Sequence, residues 1–240
     1  MKILAIDTSS KICSVSILED KNVIIEKHNN DEKTHSQKLM PMIDESFKTS
    51  NLTLDDIDLL ACSQGPGSFT GIRIGISTVK AFADVKHIPI IGVTSLESLA
   101  YNIKSKGLIA SLIDAKHDNV YFALYSLNED GYSLVLEPIS DDITSVINIL
   151  KQYSDRLTFV GDGAVAHREL LTKEFENCNF ASDAENEQTS ISIGVSAYEK
   201  YNSSNYTPVY TLSPIYLKKS QAEINLENRN KGWLIWMLVN

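Results

Sequence analysis

The sequence predicts an α/β protein made of two similar lobes, and an internal repeat is the main evidence. Residues 3–18, ILAIDTSSKICSVSIL, align without a gap with residues 110–125, ASLIDAKHDNVYFALY. Each copy has an apolar strand that ends in a carboxylate (Asp7 or Asp114), then a polar turn and a second strand of alternating apolar residues. Self-similarity in a fixed order predicts a repeated architecture. We therefore expect two sheets facing each other across a cleft, with both aspartates at the strand ends that line it.

The first half reads as a three-stranded meander followed by strands that are joined by helices. Turn residues separate the β-rich runs, and apolar residues at helical spacing mark the helices. Thr34 is the expected N-cap of the first helix, and Pro41 inside it should kink the helix or mark a later start. The predicted strands are 2–7, 12–18, 22–28, 58–64 and 88–93, and the predicted helices are 34–50 and 72–85.

The second half repeats this order. Its predicted strands are 108–114, 120–126, 132–138 and 156–162, and its predicted helices are 142–154, one from about Ala164, and 188–202. The polar stretch 176–188 reads as irregular. The β-β-β-α-β-α-β order resembles the ribonuclease-H-like lobes of the actin, sugar-kinase and Hsp70 (ASKHA) superfamily. The predicted organisation is an N-terminal lobe at 1–103, a C-terminal lobe at 104–228 and an apolar tail of unknown role at 229–240.

Charge and cysteine content limit the expected partners and compartment. The 240 residues carry 22 Lys+Arg against 31 Asp+Glu, a formal net charge of −9. Phosphate binding needs clustered Lys and Arg, and no cluster stands out, so we do not expect the chain alone to hold RNA tightly. No apolar run approaches the roughly 20 residues of a membrane span, and the start lacks a signal-peptide pattern. Three widely spaced cysteines read as reduced thiols, which favours the cytosol.

A glycine-rich loop is the most specific local feature. The segment GPGSFTGIRIG, residues 65–75, carries Gly65, Gly67, Ser68 and Gly71 and leads into a helix. It is not a phosphate-binding P-loop, because no Gly-Lys-Ser/Thr follows, and its spacing does not match the dinucleotide fingerprint. Two interpretations stay open: a tight turn packed between the lobes, or contact with a ligand at the helix N-terminus.

Seven motifs follow one another along residues 1–223. They are MKILAIDTSS, His35-Ser36, GPGSFTGIRIG, TSLESLA (94–100), IDAKHDNVY (113–121), GDGA (161–164) and PIYLKKSQAE (214–223). In this order they resemble the TsaB family, the bacterial dimerisation subunit of the machinery that makes threonylcarbamoyladenosine in tRNA. The resemblance implies kinship with the catalytic paralogue TsaD.

The resemblance implies a partner interface on the helices at 35–48 and 72–85. In the family these helices pair with those of a second subunit in a four-helix bundle, which forms either a homodimer or the heterodimer with TsaD. It also implies a TsaE-like ATPase as a further partner, indirect contact with tRNA and no membrane. The expected interface side chains are Leu39, Met42, Ile43, Phe47, Ile72, Ile76, Val79, Phe82 and Ala83.

The cleft could hold a nucleotide or be vestigial. Asp7, Thr8, Ser9, Ser10, Asp114, Gly161 and Gly163 form the candidate site. In kinases of the superfamily such aspartates organise Mg²⁺ and phosphates, but aspartate also caps turns. We expect no resident cofactor, and weak or partner-dependent binding of ATP–Mg²⁺ stays open.

No metal site and no catalytic residue are predicted. Where the paralogue carries a metal-binding Asn-His-Leu-Glu-Gly-His stretch, this chain reads Thr94-Ser95-Leu96-Glu97-Ser98-Leu99. Ser95 and Leu99 stand in the places of the two histidines, and neither is a useful ligand. The expected function is a non-catalytic scaffold subunit that binds TsaD and supports threonylcarbamoyl transfer to the adenosine next to the anticodon. The alternative is an ATP-dependent small-molecule phosphotransferase of the same fold.

Overall fold

The computed structural model, described here for residues 1–29, 34–153, 156–203 and 211–218, contains two five-stranded mixed sheets. The strand order is β3-β2-β1-β4-β5 in the first sheet and β10-β9-β6-β7-β8 in the second. The first-half elements are β1 (Lys2–Asp7), β2 (Cys13–Glu19), β3 (Asn22–Asn29), α1 (His35–Ser50), β4 (Leu59–Ser63), α2 (Phe69–Lys86), β5 (Ile90–Val93) and α3 (Ser95–Asn102).

The second-half elements repeat the meander and then add shorter pieces. They are β6 (Gly107–Asp114), β7 (Asn119–Asn128), β8 (Gly131–Asp142), α4 (Ile143–Leu150), β9 (Leu157–Val160), α5 (Asp162–Ala166), α6 (Arg168–Glu174), β10 (Cys178–Phe180) and α7 (Ser190–Asn202). The short strand β10 lies in the stretch that the sequence predicted to be irregular, so that prediction was wrong there. It pairs in parallel with β9, which is a contact that local sequence does not encode.

Strand pairing confirms the predicted duplication. In the first sheet β1 pairs antiparallel with β2 and parallel with β4; in the second, β6 pairs antiparallel with β7 and parallel with β9. Asp7 and Asp114 are therefore the last residues of equivalent central strands. A strand with neighbours on both sides and helices on its faces reads as a continuous apolar run, and residues 3–6 are fully buried.

The helices do not follow the division of the strands into halves. Helix α7 comes last in sequence but packs on the first sheet, where Ile193 and Ala197 join the core around Ile3. Helix α3 follows the first sheet but packs on the second, where Leu99 contacts the core around Ile113. The predicted boundary between residues 103 and 104 thus separates the strands of the two lobes but not their helices.

Helix α1 begins where the predicted N-cap places it. The backbone N–H of Thr34 donates to Oε1 of Gln37 at 3.2 Å, and the helix continues through Pro41. The alternative of a later start was therefore wrong. Helix α2 begins at Phe69, three residues before its predicted start, because the Ser68 side chain accepts a hydrogen bond from the Gly71 N–H and caps it.

Residues 211–218 run across both lobes. Leu212 is buried in the first-lobe core, and Leu217 packs on the second. Between them the Ile215 N–H donates to the Gln64 carbonyl at 2.8 Å, and Lys218 Nζ reaches the Ala115 carbonyl at 2.8 Å. This strap brings Tyr216 to the start of α2. The predicted tail 229–240 and the end of the PIYLKKSQAE motif lie outside the described residues. Within the described ranges, no helix is long and apolar enough to cross a bilayer.

Candidate functional site

The cleft between the lobes is a cavity of about 780 Å³ at the carboxyl ends of β1 and β6. Ser9, Ser10 and His35 line it from the first lobe, and Asp114 and Lys116 line it from the second. This is the place where an α/β fold offers a ligand site. His35 Nε2 donates to the Ser10 carbonyl oxygen at 2.8 Å, so its ring fixes the turn after β1.

Asp7 lies beneath the cleft rather than in it, which corrects the expectation that it would line the cleft opposite Asp114. Its carboxyl group is fully buried, and its Oδ1 accepts hydrogen bonds from the Ser9 N–H at 2.8 Å and the Ser9 hydroxyl at 2.6 Å. Its Oδ2 receives no hydrogen bond from the described residues. Burial raises the pKa of Asp7, because a charged carboxylate is poorly solvated there.

Asp114 faces the cleft, but its carboxylate is already hydrogen-bonded to Lys116. The Lys116 N–H donates to Asp114 Oδ1 at 2.8 Å, and Lys116 Nζ donates to Oδ2. Partial burial acts to raise the pKa of Asp114, but these hydrogen bonds and the ammonium charge outweigh it, and the pKa lies below its usual value. The Asp114 N–H donates to Asp162 Oδ1 at 2.9 Å, and burial raises the pKa of Asp162.

The glycine loop packs directly on the turn that follows β1. A Cβ on Gly71 would lie 1.9 Å from the Thr8 carbonyl oxygen, and one on Gly67 would lie 2.2 Å from that of Ser9. The Thr8 hydroxyl donates to the Gly71 carbonyl at 2.7 Å, and the Ser68 N–H donates to the Ser9 carbonyl at 2.7 Å. The packed-turn interpretation therefore accounts for these glycines. Gly67 and Ser68 also form part of the cleft wall.

The remaining predicted cleft residues are held by local contacts. The Ser10 hydroxyl accepts from the Ile12 N–H at 3.1 Å, and the Gly161 N–H donates to Asn186 Oδ1 at 2.7 Å. A Cβ on Gly163 would lie 2.9 Å from the Leu112 carbonyl carbon. Gly163 thus allows α5 to approach β6 closely.

The stretch that replaces the paralogue's metal motif belongs to the core. The Ser95 hydroxyl is within 2.8 Å of the Ser63 hydroxyl and donates to the Ser9 hydroxyl at 3.0 Å, and Leu99 is fully buried. Across the described part of the chain, no three His, Cys, Asp or Glu side chains lie close enough together to hold a metal ion.

Seven of the nine expected interface side chains are buried in the chain's own core, which corrects the predicted surface. A buried side chain offers no area to a partner, so the apolar stripes of α1 and α2 instead cover the first sheet. Phe47 and Phe82 are partly exposed. The buried residues are Leu39, Met42, Ile43, Ile72, Ile76, Val79 and Ala83.

An outward groove of about 630 Å³ is lined by α1, by residues 51–54 and by Phe82 of α2, and its exposed residue Met40 was not among the predicted interface residues. Met40 is 50% exposed there, beside Phe47, Phe82 and Leu54. The spacing of Met40 and Phe47, two helical turns apart, was the available signal. Sequence alone did not indicate which of the two apolar faces would meet the sheet.

Sequence comparison identifies the family. The profile of a family described as "TsaD: tRNA N6-adenosine threonylcarbamoyltransferase" matches residues 23–226. A Haemophilus influenzae protein named tRNA threonylcarbamoyladenosine biosynthesis protein TsaB is 31% identical over 192 residues, which are 75% of this chain and 80% of that protein. The chain belongs to the TsaB family. The Bacillus subtilis TsaB is 29% identical over 225 residues, covering 93% of this chain and 96% of its own length.

Solved structures confirm the fold predicted for this TsaB-family chain. A Pseudomonas aeruginosa protein, described as uncharacterized with similarity to peptidase YeaZ, superposes with a TM-score of 0.76. Its identity is 23%, and the match covers 90% of this chain and 99% of that one. A ROK hexokinase from Thermus thermophilus superposes with a TM-score of 0.52 at 8% identity, over 85% of this chain and 100% of its own. The two-lobe ASKHA architecture is thus shared with a sugar kinase.

Proposed function

We propose that this chain is a non-catalytic scaffold subunit that binds a TsaD-like catalytic subunit. In that pair it supports threonylcarbamoyl transfer to the adenosine next to the anticodon of tRNA, and it helps to recruit a TsaE-like ATPase. The observation that carries the proposal is the burial of Asp7. The carboxyl group at the end of β1 is fully buried and accepts a hydrogen bond from the Ser9 hydroxyl.

Binding of Mg²⁺ and phosphate would need accessible, unpaired carboxylates, and the two strand-end aspartates of this cleft do not provide them. Mg²⁺ is held through carboxylate oxygens together with substrate phosphates. Asp7 is inaccessible, and Asp114 is paired with Lys116. The carbonyl oxygens of the turn after β1 are covered by the glycine loop. These contacts support a cleft without phosphotransferase activity of its own.

The surface charge supports an indirect role in tRNA handling. With a net charge of −9, the chain would repel a polyanion over most of its surface. A subunit that positions other proteins does not need to neutralise phosphates. We therefore place tRNA contact on the catalytic partner and protein contact on the outward faces of α1 and α2, where Met40 and Phe82 border an apolar groove.

Calorimetric titration with ATP–Mg²⁺ tests the catalytic part of the proposal. We expect no heat of binding and no ATP turnover with the isolated chain, and binding once the TsaD-like subunit is added. Binding and turnover by the chain alone would contradict the proposal. That result would move the protein to the alternative class, an ATP-dependent phosphotransferase acting on a small molecule.

Met40→Asp tests the location of the partner surface. We expect it to weaken binding to the TsaD-like subunit by about tenfold or more, because a carboxylate would be desolvated against an apolar partner. The fold should be unaffected, since Met40 is half exposed. Val165→Asp is the matched control, because Val165 is 49% exposed on the second lobe. Equal affinities of both variants in a quantitative pull-down would place the interface elsewhere.

A further inference from the structure

Strand β8 is an open edge of the second sheet. It is the last strand in the order β10-β9-β6-β7-β8, so among the described residues only β7 pairs with it. An edge strand presents backbone N–H and C=O groups on its outer side to any strand that approaches. Leu134 and Val135 are 45% and 37% exposed on this strand. The edge therefore offers both backbone groups and apolar side chains to another chain.

The edge of β8 is only partly protected against pairing with another strand. Natural proteins place lysines, prolines or bulges on such edges to prevent unwanted pairing. The sequence of β8, GYSLVLEPISDD, contains no lysine or arginine. Pro138 has no N–H to donate, and Val135, which has no register partner on β7, is the extra residue of a bulge. These features limit the open edge to residues 131–137, which is the length of one short peptide strand.

A cavity of about 1030 Å³ lies beside this edge. Leu134 and Glu137 of β8 line it, together with residues of α3 and α7. Tyrosine rings also line it, and aromatic faces attract the cations of lysine and arginine side chains. Because alternate side chains of a strand lie on the same face, a strand added to β8 would place every second side chain on the cavity side. The tyrosines are Tyr101, Tyr125, Tyr132 and Tyr198.

The charges around the cavity favour a cationic ligand. The two lysines that line it are both in ion pairs with carboxylates of the same lining, as in the 2.6 Å contact between Lys200 Nζ and Glu97 Oε2. By contrast, Asp130 and Glu137 are exposed on the rim, and no cation among the described residues pairs with either. A basic side chain that approaches the edge would find two carboxylates available to it.

We propose that β8 binds an extended segment of another protein by strand addition, and that this segment has lysine or arginine at alternate positions. Its backbone pairs with residues 131–137, and its basic side chains lie beside Asp130, Glu137 and the tyrosine rings. This inference goes beyond the proposed function, because β8 belongs to the second sheet whereas α1 and α2 cover the first. The scaffold then has a surface for a further partner.

A second copy of this chain and a nucleic acid both fit this edge less well. Two β8 strands paired antiparallel about Leu134 would bring Glu137 of one copy beside Asp130 of the other, and like charges on neighbouring strands are destabilising. RNA would place its phosphates near the same carboxylates, and β8 has no lysine or arginine to offset the repulsion. A basic strand pairs with the backbone edge and neutralises these carboxylates at once.

Fluorescence anisotropy of the full chain with a labelled peptide tests the inference. The probe is an end-blocked heptapeptide of alternating valine and arginine, for which we expect saturable binding. Its fully N-methylated form should not bind, because it keeps the charges but cannot donate the backbone hydrogen bonds of a strand. Glu137→Lys should raise the dissociation constant by about fivefold or more, because it reverses a charge beside the bound strand. Glu176→Lys, the same charge change at an exposed second-lobe site outside β8, should leave the constant unchanged.

Hydrogen–deuterium exchange locates the contact. The arginine heptapeptide should slow exchange of the backbone amides of residues 131–137, without a comparable effect on β3, an edge strand of the first sheet. An arginine peptide that fails to bind would overturn the inference, as would equal binding of the N-methylated peptide or of a valine–glutamate heptapeptide. Wild-type affinity in the Glu137→Lys variant would overturn it as well. Because the chain is tested alone, none of these outcomes depends on the TsaD-like subunit.

Discussion

Gly71→Ala is expected to lower the free energy of unfolding by about 3 kcal/mol, at the upper end of the cost of overpacking. A loss of stability would be informative, because Gly71 lies in the first turn of α2, and replacing a helical glycine by alanine normally stabilises a protein by up to about 1 kcal/mol. The added methyl group would lie 1.9 Å from the Thr8 carbonyl oxygen. The added methyl group and the carbonyl oxygen are both attached directly to the backbone, so either α2 or the turn after β1 has to move.

The consequences of that shift extend into the cleft. The Thr8 hydroxyl would lose its 2.7 Å contact with the Gly71 carbonyl, and the Ser68 cap of α2 lies in the same turn. Thermal unfolding at low protein concentration should show a melting temperature lower by roughly 6–12 °C for a chain of this size. Ser77→Ala on the exposed side of the same helix is the control and should be neutral or slightly stabilising. A Gly71→Ala protein as stable as the control would show that the loop does not pack on the turn.

The repeat predicted the architecture well because it is a local pattern. Alternating apolar residues and turn residues specify a meander without reference to the rest of the chain, and two meanders in tandem specify two lobes. The fate of Asp7 was not predictable in this way. Its burial depends on the contact between Ser9 and the glycine loop, residues that are nearly 60 positions apart in sequence. The repeat made Asp7 and Asp114 look equivalent, although only Asp114 meets the cleft.

The interface residues illustrate a second limit of sequence patterns. Helical periodicity in α1 and α2 correctly identified apolar stripes that include Leu39 and Ile76. A stripe of that kind is what any helix uses to cover a sheet, so periodicity alone cannot distinguish a core face from a partner face. The outward residues, Met40 and Val85, are scattered among polar ones and give no strong period. Only the position of the sheet reveals which side faces out.

Asp7→Asn is expected to raise the free energy of unfolding at pH 8, because a neutral amide avoids the desolvation cost of ionising a fully buried carboxyl group. The amide oxygen can keep the two hydrogen bonds from Ser9, and the amide carries no charge at any pH. If the carboxylate served Mg²⁺ or phosphate, the same change would instead abolish a function of the isolated chain. We expect assembly with the TsaD-like subunit to be preserved.

The pH dependence follows from the raised pKa of Asp7. The unfolded chain releases this proton near the ordinary value of 3.8, whereas the folded chain retains it to higher pH. Unfolding therefore releases a proton between those two pKa values, so the wild-type loses stability as the pH rises through that window. Below pH 3.8 the contribution is fully present. The Asp7→Asn variant lacks this pH dependence. Its gain in the free energy of unfolding over the wild type should therefore grow with pH and level off above the folded-state pKa of Asp7.

Asp114→Asn should have the opposite effect on the free energy of unfolding, so comparing the two variants tests whether the two aspartates play equivalent roles. The pKa of Asp114 is lowered in the folded chain, so its carboxylate contributes stability above the unfolded pKa, and that stability is lost as the pH falls through the folded value. Removing it breaks the contact with Lys116 and should destabilise the protein at neutral pH. Denaturant titrations of both variants from about pH 2 to pH 8 provide the measurement, because the Asp114 window lies below the ordinary value of 3.8 and the Asp7 window lies above it. Two aspartates at equivalent places in a repeat would show the same dependence of stability on pH if both served one ligand. Opposite slopes of stability against pH would mean that the first lobe has buried its carboxyl group, Asp7, away from the cleft.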